Sequence, residues 1–306
     1  MLQYIIKRLL LTIPLIFGVC TISFFLIHLI PGDPVDIMLG EQASLEEKVS
    51  LRKELGLDQP LAAQYGGFLK GLVTLDLGRS LQSGRPVVEE IAKRFPATAE
   101  LTVAAMLLAI LFAIPLGTLA AVKQHSLFDQ IIMSVGLLGM SVPGFWLGPM
   151  LILVFSIQLD LLPVSERGGL DHLILPALSL ALALGSILLR MTRASMLEVI
   201  KEDYIRTARS KGLSEKTIYF KHALRNALMP IITIIGLQFG ALLTGTVITE
   251  TIFDWPGVGT LLFSGIQQRN YPQVQACVIF ISVTYVLVNL LVDLAYAWAN
   301  PKVRYE

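Results

Sequence analysis

The residue types that do chemistry are scattered along this chain. The four histidines, His28, His125, His172 and His222, lie far apart. No His/Cys/carboxylate group has metal-ligand spacing, so no metal site is expected. Cys20 and Cys277 both sit inside apolar runs and read as small apolar fillers. No G-x-x-x-x-G-K-[ST] loop is present to cradle nucleotide phosphates. No catalytic constellation is expected, and no cofactor. Chemistry is instead concentrated where polar groups interrupt apolar sequence. One such place is Ser141-Val142-Pro143-Gly144, where proline removes a backbone hydrogen bond. A second is the run Pro230–Ile252, which carries Gln238, Gly245 and Thr249. A third is Asn289, Asp293 and Tyr296 at i, i+4 and i+7. A fourth is the basic stretch 190–229, with nine Lys and Arg.

The surroundings of these groups are apolar. Hydrophobic residues make up 54% of 306 residues and charged residues 15%, and mean hydropathy is +0.69. Soluble domains carry about 25% charged residues, so a soluble globule and a disordered chain are both excluded. A formal net charge of +1 excludes a nucleic-acid binder, which needs a basic surplus. The reading is an all-α integral membrane protein.

A membrane helix needs about 20 apolar residues. Six stretches qualify: Leu9–Ile30, Leu101–Val122, Ile131–Leu159, Leu173–Leu189, Pro230–Ile252 and Ala276–Trp298. The first is too long for a signal-peptide core of roughly 7–15 residues, and is expected to remain as a membrane helix. The third contains Pro143-Gly144, so a kink or break is expected there. With the N-terminus inside, the short inner segments hold fourteen Lys and Arg, and the short outer loops hold only Arg167 and Arg269. That asymmetry places both termini in the cytoplasm of a multi-pass protein. Three units are expected: a first membrane helix (1–30), an extracytoplasmic helical subdomain (31–100) and a five-helix core (101–306) containing the cytoplasmic segment 190–229. Helical patterns Leu45–Leu57 and Leu61–Leu72, separated by turn signals, support the subdomain.

Two faces of the fifth stretch are polar or small. Thr233, Gly236, Gly240 and Thr244 fall within about 80° of one another on a helical wheel. Gln238, Gly245 and Thr249 fall nearly opposite. Such a helix either packs on both faces within one subunit or packs on one and lines a path on the other. Ser141 and Pro143 join Gln238, Gly245 and Thr249 as candidate path residues. Asp293 needs a partner in the membrane, and Arg190 or Arg193 is the expected one. A proton-coupling role for Asp293 is the rival.

In segment 190–229 the apolar positions Met196, Val199, Ile200 and Ile205 have helical spacing, Gly212 interrupts, and Ser214 restarts a helix. Two short helices joined at a glycine make a compact knob; the other reading is a basic hairpin lying on lipid headgroups. The run Arg206-Thr207-Ala208-Arg209-Ser210-Lys211-Gly212 resembles the coupling loop of ATP-binding-cassette (ABC) importer permeases. The ending His222-Ala223-Leu224-Arg225-Asn226-Ala227-Leu228-Met229-Pro230 is similar to the peptide/nickel branch; it departs from the general pattern in carrying Arg225 where that has proline. Tyr4–Leu10, Pro31–Pro34, Leu55–Pro60, Leu77–Ser80, Ser141–Pro143, Glu250–Gly259 and the tail Asp293–Tyr305 fit the same branch in order.

The resemblance implies the first permease of a dipeptide, oligopeptide or glutathione importer, with the type I permease fold, in a bacterial inner membrane. Nickel chelates are the second cargo within the branch, and a proton-driven secondary transporter is the rival from outside it. The implied partners are a second permease, two ATP-binding subunits, an extracytoplasmic substrate-binding protein and a peptide substrate. The implied ATPase-coupling residues are Arg206, Thr207, Ala208, Lys211, Gly212 and Leu213.

Overall fold

A computed structural model describes residues 2–29, 33–40 and 43–299. Pro31-Gly32 and the tail motif from Asn300 onward lie outside the described residues. Among the described residues the regular structure is helical, apart from a single bridge between Arg79 and Pro86.

In chain order the helices are α1 (Leu2–Leu29), α2 (Pro34–Leu39), α3 (Leu45–Glu54), α4 (Leu61–Thr74), α5 (Val87–Val122), α6 (Leu127–Ser141) and α7 (Gly144–Leu151). They continue with α8 (Leu170–Val199), α9 (Asp203–Ser210), α10 (Glu215–Thr217), α11 (Leu224–Gly245), α12 (Val247–Ile252), α13 (Val258–Gln267) and α14 (Tyr271–Ala299). Two π-helical stretches, Ile152–Gln158 and Ile218–Ala223, extend α7 and join α10 to α11.

Among the described residues, five helices are long and apolar enough to cross a bilayer: α1, α5, α8, the α10–α11 unit and α14. The third expected span is two helices, 127–141 and 144–158, meeting at 105°. Val142 is extended (φ −81°, ψ 121°) and Pro143 is the N-cap of α7, because the residue before proline disfavours helical ψ. Counting this pair as one span gives six. The fifth span breaks at Thr246, between α11 and α12.

The start of α5 differs from the expected unit boundary. Residues 87–100, expected in the subdomain, form the first turns of a 36-residue helix with Pro96 inside it. Their charges, Glu89, Glu90, Lys93 and Arg94, hid the helix from a hydropathy reading.

Small residues set the core. Helices α5 and α8 approach closely enough that a Cβ on Gly117 would lie 2.8 Å from the Leu189 carbonyl and 2.8 Å from Thr192. Gly136 and Gly139 bring α6 against Leu189 and Ser186 of α8 in the same way. Gly236 and Gly240 of α11 receive Val292 and Tyr285 of α14. Without a hydrophobic drive between helices in lipid, such close packing supplies the association. Met106, Ala109, Ala113, Ala181, Leu184, Leu188 and Ile231 make the central apolar cluster between α5, α8 and α11.

The subdomain of α2, α3 and α4 caps one end of this bundle. Asp33 caps α2 by accepting from the Val35 N–H, and Ser44 with Glu47 forms a reciprocal capping box on α3. The Ser44 backbone N–H holds the Glu47 carboxyl below the usual carboxylate range, with the Ser44 hydroxyl adding to it. Helix α4 docks on α1 through Tyr65 and Phe68 against Phe24 and through a 3.0 Å His28–Gln64 hydrogen bond. The segment after α4 is tied to the start of α14: the Leu81 N–H donates to Asn270, and Asn270 donates to the buried Ser80 hydroxyl at 2.9 Å.

Candidate functional site

The knob stands at the end of the bundle away from the subdomain. Helix α9 stops at Ser210, and Gly212 turns the chain at φ 76°, a conformation natural to glycine after a helix. The Gly212 N–H donates to the Arg209 carbonyl and the Leu213 N–H to the Ala208 carbonyl. Ser214 then caps α10 by accepting from the Thr217 N–H. Ile205, Ala208, Ile218, Ala223 and Ala227 close on Met196 of α8 and Ala121 of α5 in one buried cluster. The knob is therefore seated on the ends of the two central helices. Asn226 donates to the Tyr204 hydroxyl at 2.6 Å, pinning α9 to α11.

The outward face of the knob is polar. Of the expected coupling residues, Arg206, Thr207, Lys211, Gly212 and Leu213 are exposed, while Ala208 is buried in the seat. Alanine at 208 thus serves packing against the bundle. Across Gly212, Arg209 donates to Glu215 at 3.0 Å and to the Tyr219 hydroxyl at 2.9 Å. Glu215 and Tyr219 push the Arg209 guanidinium above its ordinary value.

The ion pairs near this end correct the expected partner of Asp293. Asp293 pairs with Arg8 of α1 at 2.9 Å. Arg193 forks onto Asp129 at 2.6 and 2.7 Å, and Arg190 reaches the Met140 sulfur. Helices α1 and α14 are neighbours and so are α6 and α8, and this adjacency decides both pairs. The Tyr296 side chain, expected on the Asn289 face, lies outside the described side chains.

The candidate path residues are spread out. Ser141 and Pro143 are exposed at the α6–α7 corner, with the Ser141 hydroxyl returned to the Leu137 carbonyl. Gln238 is half-buried on α11. Thr249 is 5% exposed, enclosed where α12 packs. Gly245 is the last residue of α11, next to the break at Thr246. The Gly236–Gly240 face is a packing face against α14.

At the subdomain end, sequence reasoning missed the most completely buried carboxylate. Glu250 of α12 is 0% exposed. Its Oε1 accepts from the Thr98 hydroxyl at 2.7 Å and the Thr246 hydroxyl at 3.1 Å. Its Oε2 accepts from the Thr260 N–H at 3.0 Å, in the first turn of α13. The helix dipole favours a negative charge there. The Val258 N–H donates to the Thr98 hydroxyl oxygen, and the Trp255 indole N–H donates to the Ala97 carbonyl at 2.8 Å. Gly257 and Gly259 lie against the carboxylate, where a Cβ would come within 2.3 and 2.7 Å of it. The run Glu250–Gly259 is thus a knot that, with Ala97 and Thr98, fastens α12 and α13 to α5.

An all-α bundle with five long spans, one broken span and a seated helical knob defines a polytopic transport component. Residues 113–305 match the family model for the binding-protein-dependent transport system inner membrane component. Residues 1–102 match the model for the N-terminal part of such membrane components. The chain belongs to this family and is a permease component of an ABC importer.

Among its relatives, it is 44% identical over 306 residues to the glutathione transport system permease protein GsiC of Escherichia coli O6:H1, covering both chains fully. It is 45% identical over an alignment of 338 positions to the dipeptide transport system permease protein DppB of Escherichia coli K12, again with full coverage of both. The fold is that of solved importers. The MetNI methionine ABC transporter, in an inward-facing crystal form, matches with TM-score 0.60 at 16% identity, covering 71% of this chain and 99% of that one. An amino acid ABC transporter matches with TM-score 0.51 at 15% identity, covering 70% and 94%.

Proposed function

We propose that this chain is the non-catalytic membrane subunit of an ATP-driven importer of short peptides, glutathione among them. It shares its pore with a second, homologous permease, takes substrate from an extracytoplasmic binding protein and is moved by two separate ATPase subunits. The observation that carries the reading is the knob. Its exposed residues Arg206, Thr207, Lys211, Gly212 and Leu213 form the surface for an ATPase, and its buried face sits on α5 and α8, so a push on it reaches the central helix pair. The charge asymmetry supports an orientation with the knob and both termini in the cytoplasm and the α2–α4 subdomain outside. The Arg8–Asp293 pair supports a structural role for Asp293. The peptide cargo rests on the names of the two relatives.

The purified chain alone is expected to release no phosphate from ATP, and the assembly with ATPases is expected to release it faster when the loaded binding protein is added. Phosphate release measured on both preparations tests this. Turnover by the isolated chain above background would overturn the subunit reading. Radiolabelled peptide uptake by the full assembly in vesicles tests the cargo.

A further inference from the structure

A cavity of about 930 Å³ lies between the subdomain and the ends of α1 and α14. It is separate from the α6–α7 corner and from the Glu250 knot. Ligand pockets usually span about 300–1,000 Å³, so this one has room for a chain of a few residues. Phe24 and Phe68 give it an apolar floor, and Phe24 is itself 5% exposed.

The walls are of a different chemistry. Gln59, Gln64, Gln82, Gln268 and Gln275 all line the cavity. A primary amide both donates and accepts, as a peptide group does. Gln64 donates to the Gln59 carbonyl and Gln275 to the Ser23 carbonyl, while the Gln59, Gln82 and Gln268 side chains have no protein partner among the described residues. Charges of both signs complete the lining. Arg79 uses one guanidinium nitrogen on the Gly84 carbonyl, leaving its other donors free, and Glu54 and Asp76 bring carboxylates.

A ligand that answers this lining has donors and acceptors in similar number, ends of opposite charge and a small apolar body. An apolar ligand would leave the glutamine amides unpaired, which a site built for hydrogen bonding rejects. An anionic lipid would meet one arginine and two carboxylates.

We propose that the cavity binds a short zwitterionic peptide, its carboxylate at Arg79 and its ammonium at Glu54 and Asp76, bridging the subdomain to α1 and α14. The choice of peptide rests on the cargo reading above; the position and charge pattern of the site do not.

The test uses the assembled permease pair with its ATPases in lipid nanodiscs, without the binding protein, and trialanine as the probe in calorimetry. Saturable binding is expected. Because a charge-assisted hydrogen bond is stronger than a neutral one, Arg79→Gln should weaken binding about tenfold. The Glu54→Gln, Asp76→Asn double variant should do the same, and so should trialanine blocked at both ends. All three side chains are exposed, so thermal unfolding of the variants should match the parent. Absence of saturable binding, unchanged affinity in both variants, or displacement of trialanine by phosphatidylglycerol would each overturn the proposal, the last making the cavity a lipid site. Trialanine uptake by the full assembly with its binding protein, measured in parallel, tests the cargo reading. Uptake without direct binding removes the cavity alone; direct binding without uptake removes the cargo reading alone.

Discussion

The two ends of this bundle each carry a short helical element bent away from a spanning helix, and they are fastened by opposite means. At the subdomain end, α12 and α13 are held by a fully buried carboxylate whose three partners are all neutral donors. At the other end, α9 and the π-helical stretch that follows α10 rest on a small apolar cluster, with their charged groups turned outward. Buried polar groups are costly unless every partner is in place, so the Glu250 knot admits one geometry. The knob keeps its shape through one glycine turn and an exposed Arg209–Glu215 pair and leaves its polar surface free. Under the function proposed above, the contrast suits a device in which one end is a fixed point and the other receives motion.

The largest effect is expected at the fixed point. Glu250→Ala would leave the Thr98 and Thr246 hydroxyls and the Thr260 N–H without their acceptor, at about 1–3 kcal/mol for each buried group. Glu250→Gln keeps one acceptor oxygen and should cost clearly less. Gly257→Val should match the alanine variant, because its Cβ would sit 2.3 Å from the carboxylate. Thermal unfolding in detergent and the amount of protein in membranes would read the order. Equal stability of Glu250→Ala and the parent would remove the fixed point from the comparison.

Next in size is the Arg193–Asp129 pair between α8 and α6. Asp129 is 3% exposed, and Arg193→Ala would leave it without its cation. A loss of about 1–3 kcal/mol is expected, since Arg193 is itself only partly buried. The double variant Arg193→Ala, Asp129→Ala should recover part of that loss, as expected when the penalty lies in the unpaired charge. A double-mutant cycle in thermal stability would show it; strictly additive losses would mean the two side chains act independently.

The two ends were unequally legible in the sequence. Six apolar runs, the break at Pro143 and the turn at Gly212 follow from local rules: run length, the restriction before proline, and positive φ. The knob could be drawn from residues 196–224 alone, because Ser214, Gly212 and the apolar spacing act within a few positions of one another. The Glu250 knot could not, because Thr98 lies 152 residues away in sequence. The Asp293 partner failed for the same reason. Periodicity places Asp293 on a face, but that α1 rather than α8 covers the face is a fact of tertiary packing. The start of α5 at Val87 was hidden because a helix that emerges from the bilayer changes composition without changing conformation. The clue that was available for Glu250 is the pair Gly257 and Gly259 seven and nine positions on, both against its carboxylate.

A comparable effect on stability, with a larger one on function, is expected at Gly212. Valine is strained at φ 76°, and proline cannot reach it and also loses the hydrogen bond to Arg209. Strain of this kind costs about 1–3 kcal/mol, comparable to a typical coupling free energy. Both variants should reach the membrane in normal amounts yet fail in uptake or lose the ATPases during purification. Co-purification and uptake at parental levels in both would return the segment to a lipid-surface role.

The smallest effect, and the sharpest for the comparison, concerns Arg209. Its guanidinium spans the Gly212 turn to Glu215 and Tyr219, but the Arg209 and Glu215 side chains are 41% and 55% exposed. Exposed pairs contribute little to stability and are screened by salt, so Arg209→Gln should unfold at the same temperature as the parent. Its value would lie in stiffness: a knob that flexes at Gly212 passes on less of a push than one braced across the turn. Peptide uptake per ATP hydrolysed should therefore fall about twofold in Arg209→Gln, a few tenths of a kcal/mol on the scale of an exposed pair. Raising ionic strength should lower the same ratio in the parent and leave the variant nearly unchanged. Arg209→Lys should fall between the two, because an ammonium cannot fork onto two acceptors as a guanidinium does. Identical uptake ratios in the parent and Arg209→Gln at low salt would show that the glycine turn and the apolar seat alone hold the knob, and that the end which receives motion needs no brace.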